Sequence, residues 1–209
     1  MIGKIIKNYN GENLPKGLTH QDWNFMHHYF KHTDKNPIGS VPEKITTYIK
    51  PLIPNYVDTI VNFGCSNGRD FIPFHDDYKL VGFDLVSPDY MDFAIGLKTD
   101  NLTYYQCSMQ DFITDFNHSD LDLSKSLVYT SATLMYLETD KQEEFVNDLI
   151  KLGCKNMVFQ EYINNPTHNN VKFSEKLNNL FDIKSFKESP FGGVESDNLW
   201  GHIMLDENN

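Results

Sequence analysis

"VDTIVNFGCSNGRDFIPF", residues 57–74, decides how the rest of the chain is read. Residues 57–63 are rich in Val and Ile and carry no charge after Asp58, the mark of a buried strand. Gly64 and Gly68 bracket a tight turn. The residues that follow, 68–75, predict a helix. Such a turn lets backbone N–H groups approach a ligand closely, because glycine puts no Cβ in the way.

Outward from this stretch, strand and helix patterns alternate. "KLVGFD" (79–84), residues 102–107, "SLVYT" (126–130) and "NMVFQEY" (156–162) predict four further strands. Residues 88–98 and 170–181 predict helices. "TDKQEEFVNDLIKL" (139–152) is the clearest amphipathic helix, stopped by Gly153. "DIKSFKES" and "NLWGHIML" predict two last strands joined by the turn-rich "PFGGVESD". Upstream, "VPEKITTYIKPLI" predicts a helix with Pro42 in its first turn and Ser40 as cap. "THQDWNFMHHYFKH" predicts another, separated by the breaker "NPIGS", and residues 1–18 read as a mobile arm. The order predicts an α/β fold: a doubly wound, mostly parallel, seven-stranded sheet with a final antiparallel strand. With 209 residues the chain is expected to form a single domain, 1–209. Residues 1–50 would supply an N-terminal arm and lid helices, and 57–205 the α/β core.

Composition narrows the function. Hydrophobic residues make up 40% and charged residues 22%, ordinary for a globular protein. No apolar run reaches the ~18 residues of a membrane span, and no signal h-region opens the chain, so a cytoplasmic location is expected. Cys65, Cys107 and Cys154 are odd in number and form no C-x-x-C pair, against a zinc site or disulfide framework. The net charge is −11, and residues 65–150 hold sixteen acidic against five basic residues. Nucleic-acid binding needs Lys and Arg to neutralise phosphate, so no nucleic-acid partner is expected. His28 and His32 share a helix face at i, i+4 spacing, but no third ligand accompanies them and no metal is expected.

Three chemistries can use the turn at Gly64. A dinucleotide site requires G-x-G-x-x-G, and the third and sixth positions here are Ser66 and Arg69, neither of them glycine. "GCSNG" also fits the G-x-S-x-G elbow of a serine hydrolase, with Ser66 as nucleophile and His168 or His202 downstream. Upstream of Val57, however, lie an arm and two helices, with no loop to supply an oxyanion donor. The third chemistry is a sulfonium cofactor. "VNFGCSNGRD", "VGFDL", "CSMQDF" and "LVYTSATLMYL" occur in the order and spacing of the class I (Rossmann-like) SAM-dependent methyltransferases, which the chain resembles over residues 57–162. Against that family's E/D-x-G-x-G-x-G loop, Ser66 replaces the middle glycine and Asn62 replaces the acidic residue.

The resemblance implies S-adenosyl-L-methionine as cofactor and a class of sites. Gly64, Cys65, Ser66 and Gly68 would form the cofactor loop. Asp84, at the end of the second strand, would accept hydrogen bonds from the ribose hydroxyls, with Leu85 against adenine. Met109, Gln110 and Asp111 would surround the adenine, and Thr130 and Ser131 would border the methionine part. A hydroxyl or ammonium acceptor needs a base to remove its proton; Glu161, His168 and Tyr136 are the candidates. Trp23, His27 and Phe30 on the N-terminal helix could line a pocket for a small-molecule acceptor. The competing readings are a serine hydrolase and a non-catalytic SAM-binding protein of the same fold.

Overall fold

The computed structural model describes residues 5–8, 41–86, 97–98, 100–162, 177, 182–185 and 198–204. The strands are β1 (Ile5–Asn8), β2 (Thr59–Phe63), β3 (Lys79–Asp84), β4 (Leu102–Gln106), β5 (Ser126–Ser131), β6 (Asn156–Tyr162), β7 (Asp182–Ser185) and β8 (Asn198–Met204). They form one sheet in the order β1-β4-β3-β2-β5-β6-β8-β7. β1 to β6 pair in parallel, and β8 runs antiparallel between β6 and β7. From β2 the chain winds outward through β3 and β4, then returns to place β5 on the other side of β2. The switch in strand order therefore falls at β2, and the turn at Gly64 leaves its carboxyl end.

Two expectations are corrected. Among the described residues the sheet has eight strands, because Ile5–Asn8, read from sequence as part of an arm, pairs with the outer edge of β4. "IIKN" is too short to show a period, and its pairing covers a ladder edge that would otherwise stand open. The stretch 68–75 holds only a 3-10 turn, Arg69–Phe71. Gly68 enters it in the left-handed region at φ 75°, and Pro73 offers no N–H to extend it. The predicted helices over 19–32, 88–98 and 170–181 lie outside the described residues, save isolated positions of the last two.

The sheet separates two apolar layers. One holds α2 (Met109–Asp115) and α3 (Thr139–Lys151) against an aromatic row. Phe63 stacks on Phe83 at 4.9 Å, and Phe83 on Tyr105 at 5.0 Å, one ring from each of β2, β3 and β4. Phe112 of α2 meets Phe63 and Phe83 edge-on, each at 4.9 Å. Such pairs add about 0.5–1.5 kcal/mol each beyond the area they bury. On the other face α1 (Val41–Tyr48) contributes Ile45, which with Ile49 beyond its end packs against Ile60, Phe71, Phe74, Leu80 and Tyr129. These layers fix the heights of β2, β3 and β5, so the loops at their carboxyl ends converge.

Candidate functional site

The turn after β2 is held from three sides. Below, the Phe83 carbonyl accepts from the Gly64 N–H at 2.7 Å and the Cys65 N–H at 3.3 Å. Beside it, the Asp84 carboxylate at the end of β3 accepts from the Ser66 N–H at 2.7 Å through Oδ2, and from the Val86 N–H at 3.0 Å through Oδ1. Above, Thr133 leaves no room for a side chain on Gly64: a Cβ there would stand 2.0 Å from its Oγ1. Gly64 also has φ 74°, so both backbone and space require glycine. Ser66 sits at φ 46°, a left-handed conformation that glycine reaches without strain.

The Cys65 side chain turns inward, against the bare face of Gly82, where a Cβ would meet its Sγ at 2.7 Å. Burial pushes the Cys65 thiol well above its ordinary range, so it is a packing group, and only its backbone faces outward chemistry. As for Ser66, the two histidines with described side chains serve elsewhere. His75 pairs with Asp76, and His118 packs on Phe112 and Phe116. His168 and His202 offer no described side chain.

Three of the sequence-predicted site residues are tied by hydrogen bonds inside the fold. Glu161, expected as a base, is fully buried, and its carboxylate collects the loop after β5. Oε1 accepts from Thr130 Oγ1 at 3.0 Å, Leu134 N at 3.0 Å and Thr133 N at 3.2 Å; Oε2 accepts from Thr133 N at 3.0 Å and Met135 N at 3.1 Å. A carboxylate so enclosed cannot reach an acceptor's proton. Its task is to hold the turn that seats Thr133 over Gly64. Burial pushes its pKa up to about 7 against the pull of those donors. Thr130, expected beside the methionine part, is buried with its hydroxyl given to Glu161. Asp111, expected at adenine, sits in the first turn of α2, which Ser108 caps: Ser108 Oγ accepts from the Asp111 N–H at 3.0 Å and donates to Asp111 Oδ2 at 2.6 Å. Met109 lies in the aromatic layer.

Leu85, Gln110, Ser131 and Tyr136 are partly exposed at or beyond the carboxyl ends of β3, β4 and β5. The Ser131 hydroxyl donates to Gln160 Oε1 at 3.0 Å. Trp23, His27 and Phe30 lie outside the described residues. Sequence reading missed Thr133, whose role appears only once β5 lies beside β2. It also missed Asp70, Asn62 and Tyr129 as a group, although an acid two residues beyond the last loop glycine was a visible signal. Among the described residues no group of three His, Cys, Asp or Glu side chains could hold a metal, and no helix is long and apolar enough to cross a membrane.

No protein-family model matches the chain, and no curated protein matches its sequence. Solved structures do match its fold. The N-methyltransferase NodS from Bradyrhizobium japonicum WM9, in complex with S-adenosyl-L-homocysteine, has a TM-score of 0.59 and 14% identity, covering 88% of this chain and 99% of that one. The 1,6-didemethyltoxoflavin-N1-methyltransferase of Burkholderia thailandensis, with its substrate and S-adenosylhomocysteine bound, has a TM-score of 0.56 and 12% identity, covering 88% and 86%. Magnesium protoporphyrin IX methyltransferase from Synechocystis PCC 6803, with bound SAM, has a TM-score of 0.52 and 11% identity, covering 91% and 99%. The fold is thus the one these SAM-dependent enzymes share.

Proposed function

We propose that this chain is a cytoplasmic SAM-dependent methyltransferase that transfers a methyl group to an oxygen or nitrogen of a small-molecule acceptor. One observation carries the reading. At the switch point of a fold shared with methyltransferases, a glycine turn is pinned to the carboxylate of Asp84. The neighbours in fold that were solved with nucleoside ligands hold SAM or S-adenosylhomocysteine. Three buried free cysteines and the acidic middle of the chain fit a reducing compartment and a partner other than nucleic acid.

In this reading the Gly64–Gly68 turn lies under the methionyl group, with its close approach made possible by the bare Gly64. Asp84 meets the ribose hydroxyls, Leu85 walls the adenine, and Gln110 with Asp111 Oδ1 meets its polar edge. Ser131 borders the methionine part in place of the buried Thr130. The sulfonium supplies a reactive methyl and a good leaving group. The protein's share is to hold the acceptor atom in line and near 3 Å, to exclude water and to take up a proton. Tyr136 and His168 remain the candidates for that proton. Trp23, His27 and Phe30 are proposed to line the acceptor pocket on an N-terminal lid within the single domain.

Calorimetry tests the reading directly. Titration with S-adenosylhomocysteine is expected to give a dissociation constant at or below about 100 μM, or about 5.5 kcal/mol. Absence of heat at millimolar ligand, with the circular dichroism of a folded α/β protein, would reject it.

A further inference from the structure

Beneath the glycine turn lies a polar cluster that the fold leaves unsatisfied. Register places Asn62 of β2 between Gly82 of β3 and Tyr129 of β5. Asp70, on the 3-10 turn that follows Gly68, closes over them. Asn62 is 1% exposed, Tyr129 0% and Asp70 6%. Asn62 Oδ1 and Nδ2, Asp70 Oδ1 and the Tyr129 hydroxyl have no hydrogen-bond partner among the described residues. The three side chains feel one another: burial pushes the pKa of Asp70 and of Tyr129 up, Asn62 pulls that of Asp70 back, and the Asp70 charge raises that of Tyr129 further against the pull of Ser131. Among the described residues the nearby cation is Arg69, with Nε 3.5 Å from Asp70 Oδ1, beyond normal hydrogen-bond length, on a side chain 40% exposed. Each buried polar atom left unpaired costs about 1–3 kcal/mol. Four together, at the ligand end of the sheet, mark a place built for something to enter.

The chemistry of the cluster specifies the guest. Asp70 Oδ1, Asn62 Oδ1 and the Tyr129 oxygen are three acceptors, one of them negatively charged. A primary ammonium has three donors and one positive charge. Asn62 Nδ2 is a donor beside those acceptors, suited to a carboxylate attached to the same carbon as the ammonium. An α-amino acid group carries both. We infer that Asp70, Asn62 and Tyr129 receive the α-ammonium of the cofactor's methionyl end, so that the charge absent at position 62 is supplied from position 70. The inference rests on the proposed cofactor and extends it to the residues that recognise its amino-acid half. The other occupant such a cluster could take is a buried water or an inorganic monovalent cation, bound with or without cofactor.

Paired titrations separate these cases. S-Adenosylhomocysteine carries the amino-acid group; 5′-methylthioadenosine has the same nucleoside and sulfur without it. The wild-type chain is expected to prefer S-adenosylhomocysteine. Asp70→Asn is expected to weaken it by about 10- to 100-fold, the loss of a charged hydrogen bond, and to leave methylthioadenosine unchanged. Tyr129→Phe removes a hydroxyl that has no hydrogen-bond partner among the described residues, so its melting temperature should hold or rise. It should weaken S-adenosylhomocysteine alone, by about 3- to 10-fold, and it decides the matter if Asp70→Asn fails to fold. Variants that weaken both nucleosides equally, or neither, overturn the inference and assign the cluster to water or an inorganic cation. A wild-type chain that binds both nucleosides equally overturns it too, with the cofactor reading intact. Binding of neither nucleoside overturns both.

Discussion

Replacing Glu161 by Gln should change how the stability of this protein depends on pH. Glu161 is fully buried, and burial lifts its pKa from 4.5 to about 7 in the folded chain. The folded state therefore holds this proton more tightly than the unfolded state does. The stability this confers is complete below about pH 4.5 and is lost as pH rises to about 7. A span of about 2.5 units at about 1.36 kcal/mol each amounts to about 3 kcal/mol. Gln keeps the shape and never ionises, so it removes that slope. Its amide nitrogen must also face an N–H donor; oriented toward Met135 it orphans that group, at about 1–3 kcal/mol. Asp70 too is raised by burial and contributes a slope of the same sign, but it is common to both chains and cancels in the difference. Urea unfolding followed by circular dichroism at half-unit steps from pH 4.5 to 8 reads the quantity. The stability of Glu161→Gln relative to wild type should rise by about 3 kcal/mol across that range, starting below it. Parallel curves would show that Glu161 is ionised throughout and that its five contacts outweigh its burial.

Two other substitutions probe the turn. Asp84→Ala should weaken S-adenosylhomocysteine by about 1.5–3 kcal/mol, since it removes the acceptor proposed for ribose and the one that holds the Ser66 N–H; unchanged affinity by calorimetry would put the ribose elsewhere. Ser66→Gly relieves a left-handed residue worth about 1–2 kcal/mol, offset by up to about 1 kcal/mol of glycine's unfolded-state entropy, so thermal stability should hold or rise slightly. A fluorophosphonate probe should leave Ser66 unlabelled; labelling lost in Ser66→Ala would restore the serine hydrolase reading.

The parallel framework was legible because its strands are short apolar runs between turn residues. "KLVGFD" and "NMVFQEY" coincide with β3 and β6 residue for residue. Periodicity could not find Ile5–Asn8, a four-residue strand whose existence depends on the edge of β4. It also overstated the helix after Gly68, where Pro73 and a left-handed glycine limit the chain to a 3-10 turn. At the site, sequence named residues at strand ends but could not tell which way their side chains turn. Thr130 and Glu161 lie on the α3 side of the sheet and satisfy each other, while Asn62 and Tyr129 point to the other side, where their polar atoms lack a hydrogen-bond partner of normal geometry among the described residues. That division depends on register between strands far apart in sequence. So does the role of Thr133, which exists only because Glu161 gathers the N–H groups of 133–135 above Gly64.

The two departures from the methyltransferase loop can now be weighed together. A serine at position 66 would undo the turn if the turn owed its shape to glycine's freedom alone. It does not. Ser66 takes φ 46° because its N–H is held by Asp84, because the Gly64 and Cys65 N–H groups share the Phe83 carbonyl, and because Thr133 fills the space above. The contacts impose the conformation, and the serine bears about 1–2 kcal/mol of strain. Nor does Asn62 leave the site without a charge. It lies among Asp70 and Tyr129, and the carboxylate stands eight residues later in the chain, on the 3-10 turn that follows the glycine loop. Strain retained at one position and buried polar atoms left without a hydrogen bond at another both lower stability. A ligand that is cationic at one end would offset the second, and the methionyl group of the proposed cofactor has that chemistry.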